Sequence, residues 1–187
     1  MTVRIYGNRE IKTLAGEATR PTSARVREAV FNIWRGRVLG CRWLDLCAGS
    51  GAMGAEALCR GAAEVVGIEK SAAACRVVEQ NWLKVAKTSQ KQQIIKGDVV
   101  RQIKKLTGKF DLIYFDPPYA ANLYQPVLPM LLDLLSPLGQ AAIECGTRQC
   151  QLGPIPQGLE IAKEKKYGST HVFFLRFTSF DCSNKYL

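Results

Sequence analysis

Four apolar runs, each closing at or beside a carboxylate, constrain this chain more than any other feature. The runs around residues 43–47, 65–68, 94–95 and 110–115 deliver Asp45, Glu69, Asp98 and Asp116, which are 24, 29 and 18 residues apart. Each interval has room for one helix, and strands alternating with helices make a mostly parallel sheet. Ligands of open α/β sheets bind beyond the carboxyl ends of the strands, so the four acids should converge on one rim. A single such acid reads as a helix N-cap or an exposed residue. Four in succession read as a binding row.

The first run opens into Leu44-Asp45-Leu46-Cys47-Ala48-Gly49-Ser50-Gly51-Ala52-Met53-Gly54, which carries the Gly-x-Gly-x-x-Gly spacing of nucleotide-binding turns. That spacing is weak alone, but here it follows a strand at 43–47 and precedes a helix at 52–60, the context that gives it meaning. Glu69 stands 20 residues after Gly49, where an acid can accept both hydroxyls of a ribose. A dinucleotide is one ligand with these needs. Asp45 argues against it, because a carboxylate beside the turn repels a pyrophosphate and attracts an ammonium. S-adenosylmethionine carries an ammonium and a sulfonium. Asp98, in Lys96-Gly97-Asp98-Val99, is placed to accept from an adenine amine.

The fourth run ends in Asp116-Pro117-Pro118-Tyr119. An exocyclic amine on a nucleobase is a poor nucleophile because its lone pair is delocalised into the ring. A carboxylate accepting its hydrogen bond returns density to the nitrogen. Pro117 and Pro118 have no N–H to compete for the acceptors, and their fixed φ holds the turn open so that a main-chain carbonyl takes the second amine hydrogen. Tyr119 offers a face for stacking, worth about 1–3 kcal/mol per base in single-strand binders. The plainer account of Asp-Pro-Pro is a strand-ending turn.

Charge is uneven along the chain. Residues 1–40 hold eight Lys or Arg against three acids and residues 76–109 hold nine against two, within a net charge of +10. A basic rim around an acidic pocket suits an enzyme that holds phosphates beside a cationic cofactor. Arg25, Arg27 and Arg35 fall in a helical pattern whose apolar positions are Val26, Ala29, Val30 and Ile33, so the helix can pack while its arginines meet RNA. The seven cysteines are dispersed, with no Cys-x-x-Cys pair and a single His171 to join them, which argues against zinc and for buried cytosolic thiols. Cys47 has no paired base, so a nucleophilic role is not expected. Neither an apolar leader nor an 18-residue apolar stretch is present, and a cytoplasmic protein is expected.

With these motifs in view the chain resembles the class I S-adenosylmethionine-dependent amino-methyltransferases. More narrowly, Thr19-Arg20-Pro21-Thr22-Ser23-Ala24-Arg25-Val26-Arg27-Glu28-Ala29-Val30-Phe31-Asn32-Ile33, the segment from Leu44 through Ala62, Asp-Pro-Pro-Tyr, and Lys166-Tyr167-Gly168-Ser169-Thr170 resemble the RsmD family, which methylates a guanine N2 in bacterial 16S ribosomal RNA. Ala24 departs from the pattern, standing where the family carries an acid. The resemblance implies an α/β, Rossmann-like fold: a seven-stranded, mostly parallel sheet with one antiparallel strand, helices on both faces, and a short N-terminal β-ribbon and helix. It implies S-adenosylmethionine held by Asp45, Ala48, Gly49, Ser50, Gly51, Glu69, Lys70, Gly97, Asp98 and Val99, with Asp116, Pro117, Pro118 and Tyr119 as the catalytic tetrad and no metal. Arg20, Thr22, Arg25, Arg27 and Tyr167 are the expected RNA contacts. The expected partner is ribosomal RNA within a small-subunit particle, met by a monomer away from any membrane.

The organisation expected is an RNA-contacting ribbon and helix over residues 1–40, the methyltransferase domain over 41–177 and a tail over 178–187. The ribbon should pair 3–6 with 11–14. Helices are expected at 71–87, 99–106 and 124–135, a fifth strand at 139–144, and a hairpin of 158–163 with 172–177. Two other functions fit the same motifs: an adenine-N6 or cytosine-N4 amino-methyltransferase acting on DNA or RNA, and a non-catalytic RNA-binding assembly factor. A nicotinamide-dependent oxidoreductase is more distant.

Overall fold

Alternation along each strand builds the two faces of the sheet. Trp43 and Asp45 point one way while Leu44 and Leu46 point the other, and Leu112 and Tyr114 alternate in the same manner with Ile113 and Phe115. All eight are buried, so these strands are covered on both faces, as parallel strands must be. The structure is a computed structural model that describes residues 1–14, 23–118, 122–146 and 152–178.

The seven strands of the main sheet are β3 (Arg42–Leu46), β4 (Glu64–Glu69), β5 (Lys91–Lys96), β6 (Phe110–Phe115), β7 (Leu135–Gly146), β8 (Leu159–Tyr167) and β9 (Thr170–Phe177), in the order β5-β4-β3-β6-β7-β9-β8. The first five run parallel. β9 lies antiparallel to both β7 and β8, which makes it the one reversed strand, as the resemblance implied. A separate two-stranded ribbon pairs β1 (Thr2–Ile5) with β2 (Arg9–Lys12) through a 3-10 turn at Tyr6–Asn8. Its strands begin earlier than the apolar pattern suggested, because Gly7 and Asn8 both take positive φ and close the turn directly after Ile5.

Helices α1 (Ala24–Ile33), α2 (Ala52–Cys59) and α3 (Ala72–Val85) cover one face together with the ribbon. Short helices α4 (Val99–Gln102), α5 (Tyr124–Val127) and α6 (Leu131–Leu134) cover the other. The single helix expected over 124–135 is broken by a 3-10 turn at Leu128–Met130, where Pro129 has no N–H to continue the ladder. The helix expected over 99–106 tightens likewise into a 3-10 turn at Ile103–Lys105. β7 is longer than its apolar segment suggested, starting at Leu135 and passing a register shift opposite β6.

One side chain governs how α2, α3 and β4 meet. The buried indole of Trp82 lies where a Cβ on Gly51, Gly54 or Gly67 would stand only 2.8, 2.4 or 2.6 Å from it. Its Nε1–H donates to the Gly51 carbonyl at 2.8 Å. Gly54→Ala should therefore push α2 off α3 and lower stability by about 1–3 kcal/mol, as overpacked core substitutions do, with the loss read from the urea midpoint at unchanged m.

Candidate active site at the strand ends

The carboxyl ends of four neighbouring strands are stitched together by backbone hydrogen bonds that continue past the ladders. Gly97 N–H donates to Glu69 O at 2.9 Å, Ala48 N–H to Ile68 O at 3.1 Å, and Asp116 N–H to Leu46 O at 3.5 Å. The sheet order β5-β4-β3-β6 thus sets Asp98, Glu69, the turn after Asp45, and Asp116 side by side in a row. Three strand spacings make that row about 14 Å long. The sequence order of the acids is not their spatial order; the crossover from β3 to β6 places Asp116 next to the glycine turn.

Cys47 senses this gathering. Its thiol pKa is pushed above the ordinary range, chiefly by burial and then by the charges of Glu69, Asp116, Asp45 and Asp98. It therefore stays protonated, a poor nucleophile in a field suited to cations. Its left-handed φ of 62° turns the chain out of β3, and Gly51, at φ 71°, turns it into α2 as the N-cap.

Each acid has a place in this frame. Glu69, half-buried, accepts from the Gly49 N–H and the Ser71 N–H, both at 2.8 Å. A carboxylate has about four acceptor positions, so hydroxyl donors can still be taken. Asp98 caps α4, accepting from Arg101 N–H at 3.2 Å, with Gly97 before it and buried Val99 after it. Asp45 is buried and accepts from Gly54 N–H at 3.0 Å, inside the first turn of α2. Burial raises its pKa from 3.8 to about 8, the Gly54 bond opposing the shift and Glu69 adding to it. Lys70 is exposed just beyond β4. Pro117 is buried and Pro118 exposed at the end of β6, so the turn is anchored at one residue and open at the next. The strand leading there is held on its inner side by Tyr114, whose hydroxyl donates to the buried Glu144 carboxylate on β7. Tyr119 lies outside the described residues.

The glycine turn has supports that the motif did not reveal. Asn81 on α3 donates through Nδ2 to Ser50 O at 2.9 Å and to Lys12 O at 2.8 Å, and accepts from Lys12 N–H at 2.9 Å through Oδ1. Asn81 interrupts the buried stripe Ala74, Cys75, Val78, Trp82 and Val85, and a polar residue in that stripe was the available signal.

The expected RNA contacts divide. Arg25 is exposed on α1, and Tyr167 is half-buried at the end of β8, on the rim that carries Asp116. Arg20 and Thr22 lie outside the described residues. Arg27 is corrected: it is 4% exposed, with its Nε at 2.6 Å from Glu56 and its Nη2 donating to Arg4 O at 2.5 Å. Glu56 also holds Arg60 at 2.8 Å, so Arg27 belongs to a buried ion network that fastens the ribbon and α1 to α2. Periodicity put Arg27 on the outer face because it could not register that α2 offers a buried acid. Arg35 is exposed but lies past the end of α1. Cys41, Cys47, Cys59 and Cys75 are free thiols, whereas Cys145 is disulfide-bonded, against the expectation of thiols throughout.

The raised pKa of Asp45 fixes the sign of a pH effect. Between about pH 4 and about pH 8 the unfolded carboxylate has shed its proton while the folded one keeps it, so folded stability falls as pH rises through that window. Asp45→Asn retains an acceptor for Gly54 N–H and removes the titration. Its stability relative to wild type should climb across that window in urea titrations at stepped pH, and a flat difference would count against the buried acid.

The family model described as "Conserved hypothetical protein 95" matches residues 3–176. The Bacillus subtilis (strain 168) protein named "Putative rRNA methyltransferase YlbH" is 32% identical over 170 residues, covering 88% of this chain and 91% of that one. The Haemophilus influenzae "Ribosomal RNA small subunit methyltransferase D" is 27% identical over 166 residues, covering 88% and 86%. Among solved structures, an Escherichia coli protein described as "Putative methyltransferase yhhF" superposes with a TM-score of 0.81 at 23% identity over 95% of this chain and 98% of that one, a likeness of fold. With a family match over nearly its whole length and the strand order of the class I methyltransferases, this chain belongs to the RsmD family of methyltransferases.

Proposed function

We propose that the protein transfers a methyl group from S-adenosylmethionine to the exocyclic N2 amine of a guanine in small-subunit ribosomal RNA. The observation that carries this reading is the row of strand ends, with Asp116 set beside the glycine turn and opposite Cys47. The names borne by the relatives supply the ribosomal RNA. In this reading the RNA is met within a small-subunit particle by a cytoplasmic monomer. Residues 1–40 form the RNA-facing part, although Ile5, Ile11, Val26 and Val30 pack into the same core as β3 and α2.

The residues present suit the cofactor. Asp98 would accept from its adenine, Glu69 has acceptor capacity for ribose hydroxyls, and the turn at Ala48, Gly49, Ser50 and Gly51 with Asp45 would take the amino-acid end. Lys70, Gly97 and Val99 flank these contacts. When bound there, the cofactor supplies an electrophilic methyl. Asp116 accepts one amine hydrogen and the Pro117 carbonyl the other, while Pro118 holds the turn and Tyr119 stacks on the base. The carboxylate stabilises the positive charge that grows on nitrogen as the N–C bond forms at the expense of the sulfur–methyl bond, and the proton the nitrogen then sheds passes to Asp116 and on to solvent. Holding both reactants in line is worth about 7–11 kcal/mol of the barrier, the largest share available to a site of this kind.

Labelled-methyl transfer to unmodified small-subunit RNA and particles, followed by nucleoside digestion, should place the label in N2-methylguanosine; label in N6-methyladenosine, or in no nucleoside, overturns the reading. Asp116→Ala should lower the rate on the order of 10²–10³-fold or more with cofactor affinity retained. The two arginines of α1 should part ways. Arg25→Ala should flatten the salt dependence of RNA binding by about 0.7 in log–log slope, without loss of stability. Arg27→Ala should lose about 1–3 kcal/mol of stability by removing one of the two cations on buried Glu56 and the bond to Arg4 O, with Arg60 still paired to Glu56, and leave the slope of the folded protein as it was.

A further inference from the structure

The outer strand β8 presents an uncovered row of cations. Residues 161–166 are all exposed, and among the described residues no helix shields them. The two acids of the strand are engaged across the ladder, Glu160 with Arg176 at 2.7 Å and Glu164 with His171 at 2.8 Å. Lys163, Lys165 and Lys166 form no ion pair among the described residues. Three lysines against two acids leave positive charge over on this strand, and one of those acids, Glu160, is already paired with Arg176.

Register gives this row a side and a direction. Lys163 pairs with Phe174, Lys165 with Val172 and Tyr167 with Thr170. Directly opposed residues share a face, so both lysines project on the side where Val172 and Phe174 enter the core shared with α1, and Tyr167 packs against that same core. The two lysines stand about 6.8 Å apart along the strand, close to the separation of successive phosphates in an extended nucleic acid strand. Ile143 pairs with both Phe115 and Phe173, while Gly146 pairs with Thr170. The β8–β9 hairpin therefore rises three residues, about 10 Å, past the end of β6, on the rim that carries Asp116.

We propose that Lys163 and Lys165, continued by Tyr167, form a track for the single-stranded RNA next to the target base, the lysines taking successive phosphates and the tyrosine ring a base or ribose. The proposal rests on the RNA methyltransferase reading and extends it to a surface far from α1 in sequence. It also accounts for lysines on an edge strand, which otherwise serve to repel strand-on-strand pairing.

The test is the double variant Lys163→Gln with Lys165→Gln, using unmodified small-subunit RNA as the probe. Loss of two phosphate contacts should flatten the log–log salt slope of binding by about 1.4 and raise KM for RNA about tenfold, with the rate at saturating RNA and the affinity for S-adenosylhomocysteine kept. The Lys→Arg pair should restore the slope. Unchanged slope and KM in a wild type that does methylate RNA would overturn the track, and self-association of the Gln variant alongside that result would assign the lysines to guarding the edge. A wild type that binds RNA through these lysines yet transfers no methyl would instead sink the catalytic reading and leave the track standing.

Discussion

The whole rim at the strand ends depends on how near α2 and α3 come to β3 and β4, and Trp82 sets that distance. Three glycines from three elements, Gly51 in the turn, Gly54 in α2 and Gly67 in β4, line the slot that its indole fills. The indole N–H then holds the Gly51 carbonyl, so one side chain both spaces the helices and pins the turn. The third glycine of the Gly-x-Gly-x-x-Gly spacing is thus explained by a neighbour in α3, not by a ligand. Because contacts in such a slot are shared, substitutions at the three glycines and at Trp82 are strongly non-additive.

Around that frame the chain concentrates negative charge where proteins ordinarily avoid it. Four carboxylates act on one half-buried thiol, and the deepest of them, Asp45, is pushed toward its neutral form by burial. A positive guest would suit such a site. Asp45 remains largely neutral until a cation arrives to favour its charged form. Basic residues gather at the ribbon and along β8 as well as around Asp98, where Lys96 and Arg101 flank it in sequence.

The sheet was legible because its strands announce themselves: each apolar run ends in an acid or a glycine, and the spacing leaves one helix between runs. The carboxylate row was legible for the same reason, since the ends of parallel strands must share a rim. What escaped was everything decided by a partner distant in sequence. Arg27 looks like a surface residue until Glu56 is brought against it from 29 positions away. Asn81 stands as an unexplained polar residue in an apolar stripe until Lys12 and Ser50 close on it. The helix at 124–135 looked continuous because its apolar period survives Pro129 even though its hydrogen bonding does not.

Asn81 carries a consequence of its own. Its amide bridges the last residue of the ribbon and the middle of the glycine turn, so these two segments, 38 positions apart, share one clamp. A guest that steadies Lys12 also orders Ser50, and a guest that orders Ser50 steadies Lys12. Linkage makes the benefit equal in both directions. The clamp thus ties the order of the ribbon's last residue to the order of the glycine turn.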